Sequence, residues 1–76
     1  MKLYESEIGM LYLVRAVKAA PEDVRSLAVR GVNEGAPLLL LNKKGSGTVL
    51  IKVRGTRLAL GKTLAEGIEV AEAPEA

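Results

Sequence analysis

The amino-acid sequence predicts a mainly-β domain, a small barrel of five or six short strands with one α-helix inserted after the first strand. Three observations carry that reading. Apolar residues recur at alternate positions in short runs separated by Gly-, Pro- and Asn-containing breaks. Only one stretch of any length, Pro21 to Arg30, has helical spacing instead. With 76 residues in total, so many antiparallel strands hide their edges by curling the sheet on itself.

The elements follow in order. Leu11 to Lys18 is rich in apolar and β-branched residues and ends at Ala20-Pro21, where the clash of a proline ring with the preceding residue disfavours helix. It reads as the first strand. Pro21 pre-sets φ for a first helical position, Glu22 and Asp23 complement the positive end of the helix dipole, and Val24, Leu27 and Ala28 fall on one stripe at i, i+3 and i+4. Gly31 stands where a helix of that register ends.

After a turn at Asn33 to Gly35, the runs Pro37 to Lys43 and Thr48 to Arg54 flank Lys44-Gly45-Ser46-Gly47 and predict a hairpin. In its second strand Val49, Ile51 and Val53 alternate with Leu50, Lys52 and Arg54, which sets a buried face against a wetter one. Gly55-Thr56 turns the chain into Arg57 to Leu60, with Leu58 and Leu60 toward the core. Thr63 and Glu66 match the capping-box spacing for one helical turn, and Ile68 to Val70 supplies a closing strand. The small, acidic stretch from Ala71 to Ala76 reads as a frayed tail. All of this is one domain over residues 1–76. The expected core is Leu13, Val17, Val24, Leu27, Leu40, Val49, Ile51, Val53, Leu58, Leu60, Ile68 and Val70.

Composition narrows the function. The chain has no Cys and no His, which removes thiolate and imidazole metal sites together with Ser-His-Asp and Cys-His catalytic systems. The richest oxygen cluster is Glu22 and Asp23, with Glu34 as a third candidate. Adjacent helical side chains diverge by about 100°, so these carboxylates serve the helix dipole better than a metal. The expectation is a non-enzymatic binding protein with no catalytic residues, no metal site and no cofactor.

Charge is blocked along the chain. From Lys43 to Lys62 there are basic residues at Lys43, Lys44, Lys52, Arg54, Arg57 and Lys62 and no acidic one, whereas Glu66, Glu69, Glu72 and Glu75 follow. Such a basic block suits an acidic partner, and its alternative reading is a small barrel that binds RNA or single strands. Single-strand sites add aromatic stacking platforms, and the two aromatic residues, Tyr4 and Tyr12, both lie outside the block. Nucleic acid is therefore not the expected partner. Gly45-Ser46-Gly47 is too short for a phosphate loop. The longest aliphatic run, Leu38 to Leu41, falls far short of the roughly 20 residues a membrane helix needs, and no signal-peptide pattern opens the chain, so the expected location is the cytoplasm.

Thr48 to Val70, TVLIKVRGTRLALGKTLAEGIEV, resembles the C-terminal half of FeoA-domain proteins, the ferrous iron transport protein A family. The shared order is strand, Gly turn, a basic-apolar strand ending in Ala-Leu, a one-turn helix and an Ile-x-Val strand. Upstream, Leu27, Gly31, Val32 and Gly35 are similar to the family's helix exit. The resemblance covers about Leu11 to Val70 and implies an SH3-like barrel. It also implies a small cytoplasmic accessory beside FeoB, the membrane GTPase permease for Fe(II). The same domain occurs at the C-terminus of DtxR-type metal-dependent repressors, and a chain of this length leaves no room for their helix-turn-helix domain.

A partner surface can be read from the strands themselves. Leu38 to Leu41 is apolar on both faces, where a one-sided strand would alternate. Alternation places Leu50, Lys52 and Arg54 on one outward face, and the hairpin brings Leu39 and Leu41 beside it if they point the same way, with Arg57 on a neighbouring strand. The alternative is that Leu39 and Leu41 lie under the helix or the tail. The expected occupants are the cytoplasmic side of the transporter or a second copy of the chain.

Overall fold

In the computed structural model, which describes residues 1–73, alternation along the chain becomes β1 (Leu11–Val17), β2 (Pro37–Lys43), β3 (Val49–Val53), β4 (Thr56–Leu60) and β5 (Ile68–Glu72). They form one antiparallel sheet in the order β4-β3-β2-β1-β5. Helix α1 (Pro21–Val29) follows β1, and a short helix α2 (Lys62–Gly67) links β4 to β5. A 3₁₀ turn at Leu3–Glu5 precedes the sheet. It packs on α2 and β5, so that Leu3 and Ala65, both fully buried, close the core where the sheet's two edges do not pair.

Helix α1 begins with Pro21 at its first position and ends with Arg30 as C-cap. Gly31, at φ +96°, takes the left-handed conformation. The N–H of Val32 donates to Leu27 O at 2.8 Å and that of Gly31 to Ala28 O at 3.0 Å, the paired bonds of a Schellman ending. Leu27 and Val32 are both buried beneath it. At the β3–β4 turn, Arg54 and Gly55 have φ of +52° and +79°, and Val53 pairs with Thr56. This is a two-residue hairpin with both central residues at positive φ, so the turn lies one residue earlier than Gly55-Thr56.

β-Bulges explain where alternation misleads. On β1, Val14 pairs with Val70 and Ala16 with Glu69, which leaves Arg15 as an extra residue. The bulge shifts the phase, so Tyr12 and Val14 point inward before it and Val17 packs against the core after it. Leu13 consequently leaves the core and lies half-buried on the outer face. Val24 is likewise half-buried, because α1 turns chiefly Leu27 inward. The other inward predictions on β2 to β5 hold, Leu58 as a half-buried member packed against the core.

Two further expectations are corrected. The Thr63/Glu66 capping box does not form: Gly61 is the N-cap of α2 and Thr63 lies inside the helix, with no side-chain cap bond. Of the expected tail, Ala71 and Glu72 belong to β5 and pair with Leu13 and Tyr12, while residues 74–76 lie outside the described residues.

Tyr12 is buried, and its hydroxyl oxygen accepts the Glu7 N–H at 2.8 Å. Tyr12→Phe keeps the ring and strands that N–H, which should cost about 1 kcal/mol. Faster amide exchange at Glu7 than elsewhere in the variant is the expected readout.

Candidate functional site

The outer face of the sheet is built by register. Leu11 pairs with Leu39, Leu39 with Lys52, and Lys52 with Arg57, so these four residues form one row across four strands. Leu13, opposite Pro37 and Ala71, extends it on β1. On β2 a second bulge sets Leu41 and Asn42 against the single residue Leu50, which in turn pairs with Ala59. An outward sheet face in a small domain ordinarily carries polar residues. Here its centre is aliphatic.

Of the six residues the sequence singled out, the structure brings five together: Leu39, Leu41, Leu50, Lys52 and Arg57. The three leucines are half-buried and the two cations exposed. Arg54 does not join them. It occupies the hairpin turn in the left-handed region, and its Cδ and Nε lie over Gly31 at the end of α1, where its charge complements the carbonyl end of the helix. Alternation failed there because the turn, and not the strand, sets Arg54's direction.

Sequence reasoning missed the part of the face that lies on β1, where Leu11 and Leu13 stand opposite Leu39 and Pro37. Leu11 is 50 % exposed, and Ile8 and Met10 beside it are 54 % and 38 % exposed. The segment continues the sheet, since Gly9 N–H donates to Leu40 O at 2.7 Å and Leu40 N–H to Met10 O at 3.2 Å. The available signal was that β1, like β2, is apolar on both faces. A hollow of about 350 Å³ lies at the Leu13 end of the face, bounded by Arg15, Glu34 and Gly35.

The electrostatics of the face are one-sided. Lys52 and Arg57 stand directly opposite each other, an arrangement that destabilises a strand pair. The one ion pair among the described residues, Lys18 with Glu69 at 3.1 Å, lies elsewhere. Arg57→Glu should therefore raise stability by a few tenths of a kcal/mol by giving Lys52 an opposite charge, and denaturant unfolding would register the gain.

No group of three acidic, His or Cys side chains converges among the described residues. Glu22 and Asp23 occupy the first turn of α1, and Glu34 sits in the turn before β2. Tyr4 lies beneath Lys62, whose ammonium is 5.4 Å from the ring centre. With Tyr12 in the core, neither aromatic side chain serves the basic face as a stacking platform. No helix among the described residues is long and apolar enough to cross a membrane. What the face can offer is a desolvating aliphatic centre with cations along one side, the composition of a protein-docking surface.

Comparisons with known proteins agree with this architecture. The family model for the FeoA domain matches residues 1–72. The solution structure of FeoA protein from Chlorobium tepidum superposes with a TM-score of 0.90 at 32 % identity, over 97 % of this chain and 71 % of that one. A crystal structure of an iron uptake regulatory protein, FeoA, superposes at 0.85 with 27 % identity, over 96 % and 97 % of the two chains. A manganese-dependent transcriptional repressor shares the fold at a TM-score of 0.86 and 21 % identity, over 96 % of this chain and 41 % of the repressor. No curated protein matches in sequence. With its strand order, its helix after the first strand and its SH3-like fold, the chain belongs to the FeoA domain family, small domains associated with iron(II) transport.

Proposed function

We propose that the chain is a non-enzymatic accessory of ferrous iron uptake that binds the cytoplasmic side of a FeoB-type GTPase transporter and modulates its activity. The observation that carries the reading is the outer sheet face, where Leu11, Leu39 and Leu50 lie beside the like-charged pair Lys52 and Arg57. Interfaces join an apolar centre to a polar rim of complementary charge, so the surface that fits is aliphatic with an acidic border. Neither a metal nor a cofactor is part of the role, and Fe(II) is the transporter's cargo.

The test is a binding titration of the purified chain against the transporter's cytoplasmic GTPase domain, alongside a salt titration against single-stranded RNA. Saturable binding to the domain, with RNA affinity no greater than that of any cationic surface, supports the accessory role. Steeply salt-dependent RNA affinity without contact to the transporter domain overturns it in favour of nucleic-acid binding.

A further inference from the structure

The fold treats the two edges of its sheet differently. Along β5, Val70 N–H donates to Met1 O at 2.7 Å, the Met1 amine donates to Val70 O at 3.0 Å, and Lys2 bridges to Glu69. Along β4, no backbone group of Thr56–Leu60 bonds to anything outside the ladder with β3 among the described residues. That ladder is regular from Val49 opposite Leu60 to Val53 opposite Thr56, with no bulge and no proline to blunt it. A regular, uncovered edge is a template for another strand.

A cleft of about 240 Å³ runs beside this edge. Leu58, Ala59 and Leu60 line one wall, and α1 lines the other with Asp23, Ser26, Leu27 and Arg30. Leu58 and Leu60 share one face of the strand and Ala59 the other, so the two leucines can line the cleft with side chains while Ala59 between them meets it at the strand's edge. The cleft thus lies between a helix and an edge strand whose outward backbone groups are free, the setting in which domains add an extended peptide to a sheet.

Charge and register say what the peptide carries. A residue added beside Arg57 would lengthen the row Leu11, Leu39, Lys52, Arg57, which ends in two facing cations. An acidic side chain offsets their repulsion there. The next residue along would point the other way, toward half-buried Leu58 and Leu64 in the cleft, where an aliphatic side chain fits. A second copy of β4 is a poorer occupant, because Thr56–Leu60 holds no acidic residue. We infer that the β4 edge receives an extended segment of a partner protein as an added strand, with an acidic side chain beside Arg57 and an aliphatic one beside Leu58. The inference does not depend on which protein supplies the segment, so it can fail while the transporter contact stands, and the reverse.

The experiment is an amide chemical-shift titration of the intact chain with a capped synthetic peptide, Ser-Val-Ala-Val-Glu-Val-Ser, which sets a valine beside Leu58 in either strand direction when its Glu lies beside Arg57. Saturable shifts concentrated at Arg57 to Leu60, with slowed amide exchange there, are expected. Replacing the peptide's Glu with Lys, or N-methylating alternate peptide nitrogens, should weaken binding about tenfold, the first through charge and the second through lost backbone bonds. The Arg57→Glu chain should prefer the Lys peptide. Absence of saturation at about 5 mM, well above a weak 1 mM affinity, would overturn the inference. So would shifts confined to Leu11 and Leu39, or indifference to N-methylation. Concentration-dependent protection of β4 amides in the chain alone would assign the edge to a second copy and overturn it equally.

Discussion

Gly67→Ala is expected to destabilise the domain by about 2–3 kcal/mol, at the upper end for overpacking a well-packed site. Gly67 ends α2 immediately before β5, and its carbonyl accepts the Lys18 N–H at 2.7 Å. A Cβ at this position would fall inside the contact radius of the Lys18 carbonyl oxygen. Because that atom is backbone, relief requires moving the end of β1 away from the start of β5, where Val17 pairs with Ile68. A folded domain of this size has roughly 4–11 kcal/mol in hand, so the loss is a large fraction of the whole. Chemical denaturation measures it directly. Gly55→Asn is the control: nothing lies within 4 Å of a Cβ there, and its φ of +79° is one that asparagine tolerates, so the midpoint should barely move.

The largest functional effect should come from the centre of the outer face. Leu39→Ser combined with Leu11→Ser replaces a cross-strand aliphatic pair with hydroxyls that remain solvated in the free protein. Bound to a partner, those hydroxyls lose water without gaining partners, and a central hot spot costs about 2 kcal/mol, or roughly thirty-fold in affinity. The change should appear as faster dissociation. Lys52→Glu, by contrast, should slow association and flatten its salt dependence, since a rim charge acts on encounter. Surface-based kinetics separate the two. Leu11 is half exposed and Leu39 is not in the buried core, so the double variant should still unfold cooperatively.

Most of the fold was legible because β2 up to its bulge at Leu41, and β3 to β5, alternate on their inner faces: Leu38 and Leu40, then Val49, Ile51 and Val53, then Leu60, Ile68 and Val70 are all buried. The helix was legible from Pro21, its acidic first turn and Gly31. The phase of β1 was not, because a bulge inserts one residue at Arg15 and no local signal marks a bulge in a strand that is apolar on both sides. Leu3 and Ala65 were invisible for a different reason: each is buried by a neighbour distant in sequence, the 3₁₀ turn meeting α2. The candidate site was partly readable. Like-charge pairing of Lys52 with Arg57 was not readable, because a turn at Gly55-Thr56 sets Arg57 opposite Arg54 and only the turn at Arg54-Gly55 brings it to Lys52. The departure of Arg54 depends on the same positive φ, and the contribution of Leu11 depends on which way β1 faces.

The central claim is that this FeoA-family domain docks its transporter through the outer face of the sheet. Amide and methyl chemical-shift mapping of the chain, titrated with the transporter's cytoplasmic GTPase domain, tests it most directly. The account predicts a continuous footprint over Leu11, Leu13, Leu39, Leu50, Lys52 and Arg57, with Leu3 and Ala65 on the opposite side of the core unperturbed. A footprint centred on α2 and the 3₁₀ turn, or no saturable perturbation at all, would contradict it.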